Sequence, residues 1–124
     1  MSAPTLPDPL TVVVVSSDTA FRRLAGTALS QAGHEVHTAT AAPLRIGRLI
    51  RFRRPQVLIL DASTCDEIAA AEATCRAGGV HLVIVADGMP GVVEKWGPLE
   101  TLLAEVEAAG PAGASRLRVV ADDR

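Results

Sequence analysis

An open, doubly wound α/β sheet of five parallel strands, layered between helices, is the architecture that this sequence of 124 residues predicts. Three observations carry it. Short, β-branched, almost wholly apolar runs recur along the chain, and such runs read as strands buried on both faces, as in a parallel sheet. Between them lie stretches of helical periodicity, so that strand and helix alternate as βαβ units with right-handed crossovers. The composition, 48% hydrophobic and 21% charged, is that of one ordinary globular domain. With one Trp, two Phe and no Tyr, the core must be filled by Ala, Val and Leu.

The elements follow in order. Residues 1–9 hold Pro4, Pro7 and Pro9 and are expected to form a flexible leader. Leu10 to Val15 (LTVVVV) is the first strand. Ser16, Ser17, Asp18 and Thr19 offer helix N-cap side chains. Phe21, Leu24, Ala25, Ala28, Leu29 and Ala32 then mark one helical face that ends at Gly33. Glu35 to Thr40 is a second strand, more polar and therefore nearer an edge. Pro43 can open a second helix with Leu44, Ile46, Leu49 and Ile50 inward, closed by Pro55. Gln56 to Leu60 (QVLIL) is a third strand running into Asp61, and Asp66 to Ala77 a third helix stopped by Gly78 and Gly79. His81 to Ala86 (HLVIVA) is the fourth strand and Val92 to Trp96 (VVEKW) a fifth. Leu99, Leu102, Leu103 and Val106 belong to a last amphipathic helix ending near Gly110. The expected fold is three-layered and flavodoxin-like over residues 10–109, followed by a linker or tail at 110–124 whose RLRVV segment alternates like an edge strand.

In such sheets the working edge lies at the carboxyl ends of the strands. There the sequence places Ser16, Ser17 and Asp18 after the first strand, Asp61 after the third, Ala86 and Asp87 after the fourth, and Lys95 near the fifth. With these residues in that order, the chain resembles the receiver domain of two-component response regulators. VVVVSSDTAFRRLAGTALSQAGHEV resembles that family's first strand and helix, RPQVLILDAS its phosphoacceptor strand, and EKWGPLETLLAEV its lysine loop and last helix. The resemblance implies that Asp61 stands at the phosphoacceptor position and Lys95 at the position of the lysine that pairs with it. It equally marks departures. Ser16 and Ser17 replace the acidic pair that helps hold magnesium, and Ala86 replaces the hydroxyl residue that grips the phosphoryl group. Val92 stands where a switch aromatic is usual, and Trp96 follows the lysine in place of proline. Asp18 is the next acid along, but strand alternation or the turn is expected to aim it elsewhere.

These departures bear on chemistry. Mg²⁺ takes carboxylates and waters in octahedral geometry, and phosphoryl transfer is mostly positioning and charge neutralisation. With two hydroxyls in place of two carboxylates, Asp61 and Lys95 are expected to form a resting ion pair. No cofactor is expected, with Mg²⁺ needed only if Asp61 is a working phosphoacceptor. A second departure is one of length: only Asp-Gly-Met-Pro-Gly separates Ala86 from Val92. A helix with its two connections needs at least about ten to twelve residues. Either the fourth helix is missing or shortened, or VVEKW is not a parallel strand beside the fourth. In the first case one sheet face loses its cover, and a partner is expected there: a second copy in a homodimer, the 110–124 tail, or another domain.

Other classes find less support. The start, MSAPTLPDP, has neither a charged n-region nor an apolar h-region, and no run is long enough to span a bilayer, so a cytoplasmic protein without membrane contact is expected. Cys65 and Cys75 lack zinc spacing, and His34 and His37, three apart on a strand, diverge, so no metal site is read. Residues 21–54 carry seven arginines and one acid, Glu35, a net +6 against −8 for the rest. Arg45, Arg48 and Arg51 form a basic stripe, read first as a solvated face and otherwise as a footprint for an acidic partner or for head-to-tail association. Nucleic acid binding by this domain alone is not expected, given so few aromatic rings. No Gly-rich dinucleotide motif, P-loop lysine or catalytic triad spacing is present. The expected function is therefore non-enzymatic: an atypical receiver acting through protein contact in signalling or transcription control. A working phosphoacceptor at Asp61 is the alternative, and a small ligand-binding protein the third reading.

Overall fold

The computed structural model describes residues 10–40, 46–64, 67–88 and 93–109. The expectations for the 1–9 leader and the 110–124 tail lie outside them, as do those for Pro43, Leu44, Arg45, Cys65, Asp66 and Val92. In chain order the elements are β1 (Thr11–Val15), α1 (Thr19–Gln31), β2 (Glu35–Ala39), α2 (Ile46–Arg53), β3 (Val57–Asp61), α3 (Ile68–Gly78), β4 (His81–Ala86), β5 (Val93–Glu94) and α4 (Leu99–Glu107). All strands pair in parallel in one sheet of order β2-β1-β3-β4-β5. Val13 is the centre of the register, opposite His37 on one side and Leu58 on the other.

Alternation along the strands divides the core into two layers. Val12, Val14, Ile59, Val83 and Val85 meet Phe21, Ala25 and Leu29 of α1 and Leu102 and Val106 of α4. Val13, Val15, Leu58 and Leu60 meet Ile46 of α2 and Ala71 and Cys75 of α3. Every residue of β3 is buried, which is why that strand has no polar position before Asp61. β2, at the edge, exposes Glu35 and Thr38, as its mixed composition predicts.

The α1 stripe is narrower than its periodicity suggests. Leu24 is 41% exposed, and Ala32 is exposed beyond the helix end. Gly26 faces Val36 and Thr38 of β2, and seating that side of α1 against the strand turns Leu24 outward. Gly79 ends α3 in the left-handed conformation, φ +71°, a geometry that glycine adopts without strain.

The fourth crossover is the main departure from a full doubly wound fold. No helix lies between β4 and β5 among the described residues, and six residues join them. Such a short parallel crossover is geometrically possible because β5 is only two residues long. Val93 sits opposite Val85 and Glu94 opposite Ala86, so the chain returns a single residue step along the sheet. β5 is correspondingly shorter than the 92–96 run predicts. The Gly97 N–H donates to the Glu94 carbonyl at 3.1 Å and turns the chain after Glu94, leaving Lys95 and Trp96 in the turn.

Replacing Leu29, fully buried between α1 and the sheet, by Ala is expected to cost about 2–5 kcal/mol. Leu24→Ala on the same helix should cost about 0.5 kcal/mol or less. Urea denaturation of the two variants checks the assignment of the α1 face.

Candidate functional site

Four strand ends converge at the carboxyl edge. Asp61 is the last residue of β3 and is fully buried. Lys95 follows β5, its backbone N–H donating to the Ala86 carbonyl at 3.0 Å, so that the end of β4 fixes where the lysine leaves the sheet. The Lys95 Nζ lies 2.9 Å from Asp61 Oδ2. The expected resting pair is present, and it has a third member. Asp18 Oδ2 stands 3.0 Å from the same ammonium, contrary to the expectation that the turn after β1 would aim Asp18 elsewhere. The reason lies in helix capping. Asp18 is the N-cap of α1, its Oδ1 accepting from the Phe21 N–H at 3.2 Å. A cap side chain folds back over the first turn, and the start of α1 lies at the carboxyl edge, so the second oxygen faces Lys95.

Ser16 completes the arrangement. Its buried hydroxyl donates to Asp61 Oδ2 at 2.7 Å and accepts from the Asp18 N–H at 2.9 Å. The other Asp61 oxygen, Oδ1, accepts from the Ser63 N–H at 3.0 Å. The Asp61 carboxylate thus holds an ammonium, a hydroxyl and an amide, a set of donors that makes a buried carboxylate tenable. Ser17 plays a different part: its N–H donates to Thr64 Oγ1 at 3.1 Å and the residue is exposed. Ser63 Oγ accepts from the Asp87 N–H at 3.1 Å, tying the β3 and β4 loops together. Ser63 and Thr64 carry no sequence signal beyond their place after Asp61, and neither is anticipated.

Aromatic rings frame the ammonium. Lys95 Nζ lies 5.7 Å from the Phe21 ring centroid and 5.3 Å from that of Trp96, within cation–π range. The two rings meet edge to face, 5.8 Å apart at 87°. Two rings therefore stand at the working edge: Trp96 follows Lys95 in the chain, and the first turn of α1 delivers Phe21.

Charge follows geometry. Burial works to lower the Lys95 pKa, but the hydrogen bonds and charges of Asp61 and Asp18 outweigh it and hold the ammonium above the ordinary lysine value. The hydrogen bond from Lys95, then that from the Phe21 N–H, holds Asp18 below the ordinary carboxylate value. Among the described residues no group of three or more His, Cys, Asp or Glu side chains is placed to hold a metal ion. His34 instead accepts from the Leu10 N–H through Nδ1 at 3.1 Å, and His37 Nε2 lies 2.8 Å from Glu35 Oε2.

Solved structures of similar fold include proteins described as response regulators and a signal receiver domain. The N-terminal domain of a response regulator/sensory box/GGDEF three-domain protein from Carboxydothermus hydrogenoformans has a TM-score of 0.70 at 16% identity, covering 86% of this chain and 98% of that one. A LuxR-family DNA-binding response regulator from Staphylococcus aureus has a TM-score of 0.65 at 20% identity, covering 81% and 98%. The anti-anti-sigma factor PhyR from Bartonella quintana has a TM-score of 0.67 at 11% identity; the match covers 82% of this chain and 47% of that protein. The sequence matches no family model and no curated protein. The likeness is one of fold: this chain has the flavodoxin-like receiver-domain fold. Among the described residues no helix is long and apolar enough to cross a membrane.

Lys95→Met should destabilise the chain by about 3–5 kcal/mol at neutral pH, because it leaves Asp61 buried without its cation. Asp61→Asn in the Lys95→Met background should recover part of that loss. In the unaltered protein, the Asp18 contribution is present above the ordinary carboxylate pKa and is lost as pH falls through the lowered value. The Lys95 contribution is present below the ordinary lysine pKa and is lost as pH rises through the raised value. Stability from these two groups should therefore be flat between about pH 5 and 9, and denaturant midpoints across pH, with and without Lys95→Met, measure both limbs.

Proposed function

We propose that this chain is an atypical receiver domain that works as a protein-interaction module in signal transduction, without turnover of its own and without magnesium-dependent phosphorylation of Asp61. One observation carries the reading: the Lys95 ammonium stands between the Asp18 and Asp61 carboxylates, and the Ser16 hydroxyl occupies the same Asp61 oxygen. A phosphoacceptor carboxylate needs a free oxygen to attack phosphorus and a cation to neutralise the equatorial oxygens. Here Asp61 Oδ2 already holds two donors and Oδ1 a third. The residues do not suit Mg²⁺ either. Ser16 and Ser17 supply neutral hydroxyls where the receiver resemblance implies acids, and the two carboxylates present already share the Lys95 ammonium. Ala86, at the end of β4, has no hydroxyl to offer a phosphoryl group. The anti-anti-sigma factor among the structural neighbours supports output through a protein partner.

The second reading, a phosphoacceptor at Asp61, draws on Asp18. Its carboxylate reaches the site and supplies a second acid beside Asp61, as that reading requires of Asp18 or Asp87. The two readings separate in one titration. Trp96, the only tryptophan, lies against the Lys95 ammonium and reports on it. With Mg²⁺ and then beryllofluoride added, Trp96 fluorescence is expected to stay unchanged in the unaltered protein and in Asp61→Asn alike. A saturable change that needs both reagents and vanishes in Asp61→Asn would establish the phosphoacceptor instead.

A further inference from the structure

Two surface features outside the charged site complement one another. The first follows from the short fourth crossover, which holds no helix among the described residues. On the α2–α3 side of the sheet, Leu58 and Leu60 of β3 are fully buried, whereas Leu82 and Ile84, beside them on β4, are only half-buried. β5 pairs only with Val85 and Ala86, so among the described residues no strand lies along the outer edge of Leu82–Ile84. Grooves of about 300 and 460 Å³ flank this segment and share Leu82 and Ile84 in their lining, with Glu72 and Arg76 of α3 in the one and Glu94 and Glu105 in the other. The second feature is Phe52. It stands on α2 with 75% of its surface exposed, between Arg51 and Arg53 and close in sequence to Arg48 and Arg54. A helix of eight residues with no acid and an outward phenylalanine is a knob ringed by positive charge.

Charge indicates which partner suits this groove. The described residues from 67 to 109 carry seven acids against Arg76 and Lys95, and Lys95 is spent within its own ion triad. Residues 21–54 carry seven arginines against Glu35. The chain is thus basic where the knob stands and acidic where the groove opens. We propose that the β4 groove receives α2 of a second copy of this chain, Phe52 seated on Leu82 and Ile84 and the α2 arginines facing Glu72 and Glu105. A phenylalanine desolvated in an apolar seat and ringed by opposite charges has the anatomy of an interface anchor. Knob and groove are different patches of one chain, so the contact is heterologous and each copy offers both halves. The proposal rests on the interaction-module reading and names its partner.

The test uses three full-length proteins: the unaltered chain, Phe52→Glu, and a double variant Glu72→Lys/Glu105→Lys. All three altered positions are exposed, so folding is preserved. In sedimentation velocity the unaltered chain should self-associate with rising concentration and weaken with added salt. Each variant alone should lose at least about tenfold in affinity. Mixed in equal amounts, the two variants should form a heterodimer, since one retains the groove and the other the knob. A monomer at every concentration would overturn the proposal, as when residues 110–124 or a partner of other chemistry fill the groove. Self-association unaffected by either variant, or a mixture that stays monomeric, would overturn it too. A negative result here leaves the beryllofluoride titration to judge the interaction-module reading on its own.

Discussion

The Lys95 ammonium is the constraint on which the carboxyl edge of this sheet depends. Asp61 is fully buried at the end of β3, and a carboxylate there is tenable only with a cation and donors in place. That requirement fixes β5 beside β4, because the Lys95 amide must reach Ala86 for the ammonium to reach Asp61. It also fixes the start of α1, whose capping residue lends its second oxygen to the same cation. One charge thus links the ends of β1, β3 and β4 to the turn before α4.

Shortening the fourth crossover changes the sheet without unpicking it. β5 needs only two residues to set Lys95, and with no helix among the described residues of the crossover, cover is reduced on β4, while α2 and α3 bury β1 and β3. The core layer formed with α1 and α4 is untouched: Val83 and Val85 stay buried on that side. A crossover with no helix among its described residues is therefore compatible with a folded domain, and the half-buried residues beside it are Leu82 and Ile84.

Much of the fold is legible in the sequence because the apolar runs LTVVVV, QVLIL and HLVIVA admit little but strands buried on two faces, and the five residues between Ala86 and Val92 leave too little chain for a full crossover helix with its two connections. The Asp61–Lys95 pair is legible because both residues fall at strand ends and the receiver resemblance pairs those two positions. Asp18 is not, because strand alternation is the wrong rule for it: the residue obeys helix capping, whose side chain returns over the first turn. Phe21 is missed at the site for a related reason. Its spacing marks it as core, and only the packing of α1 against α4 shows that a core ring also borders the ammonium. Leu24 shows the limit of periodicity, which counts apolar residues on a face but not the roll of the helix set by Gly26 against β2.

Local stability is uneven across the ion triad. Asp61 belongs to a central strand paired along its length on both sides, and Asp18 caps a helix of thirteen residues. Lys95 hangs from a two-residue edge strand. Segments with few ladder bonds open at lower free energy than the body of a sheet. The cation of the site therefore rides on its most easily detached part, while both anions are anchored in the most durable. Withdrawal of the lysine is then a local opening rather than global unfolding, and its cost is that of parting buried Asp61 from its cation. It would uncover Asp61 and free the oxygen that Asp18 turns away from its helix, joining the charge state of the edge to the motion of one short segment.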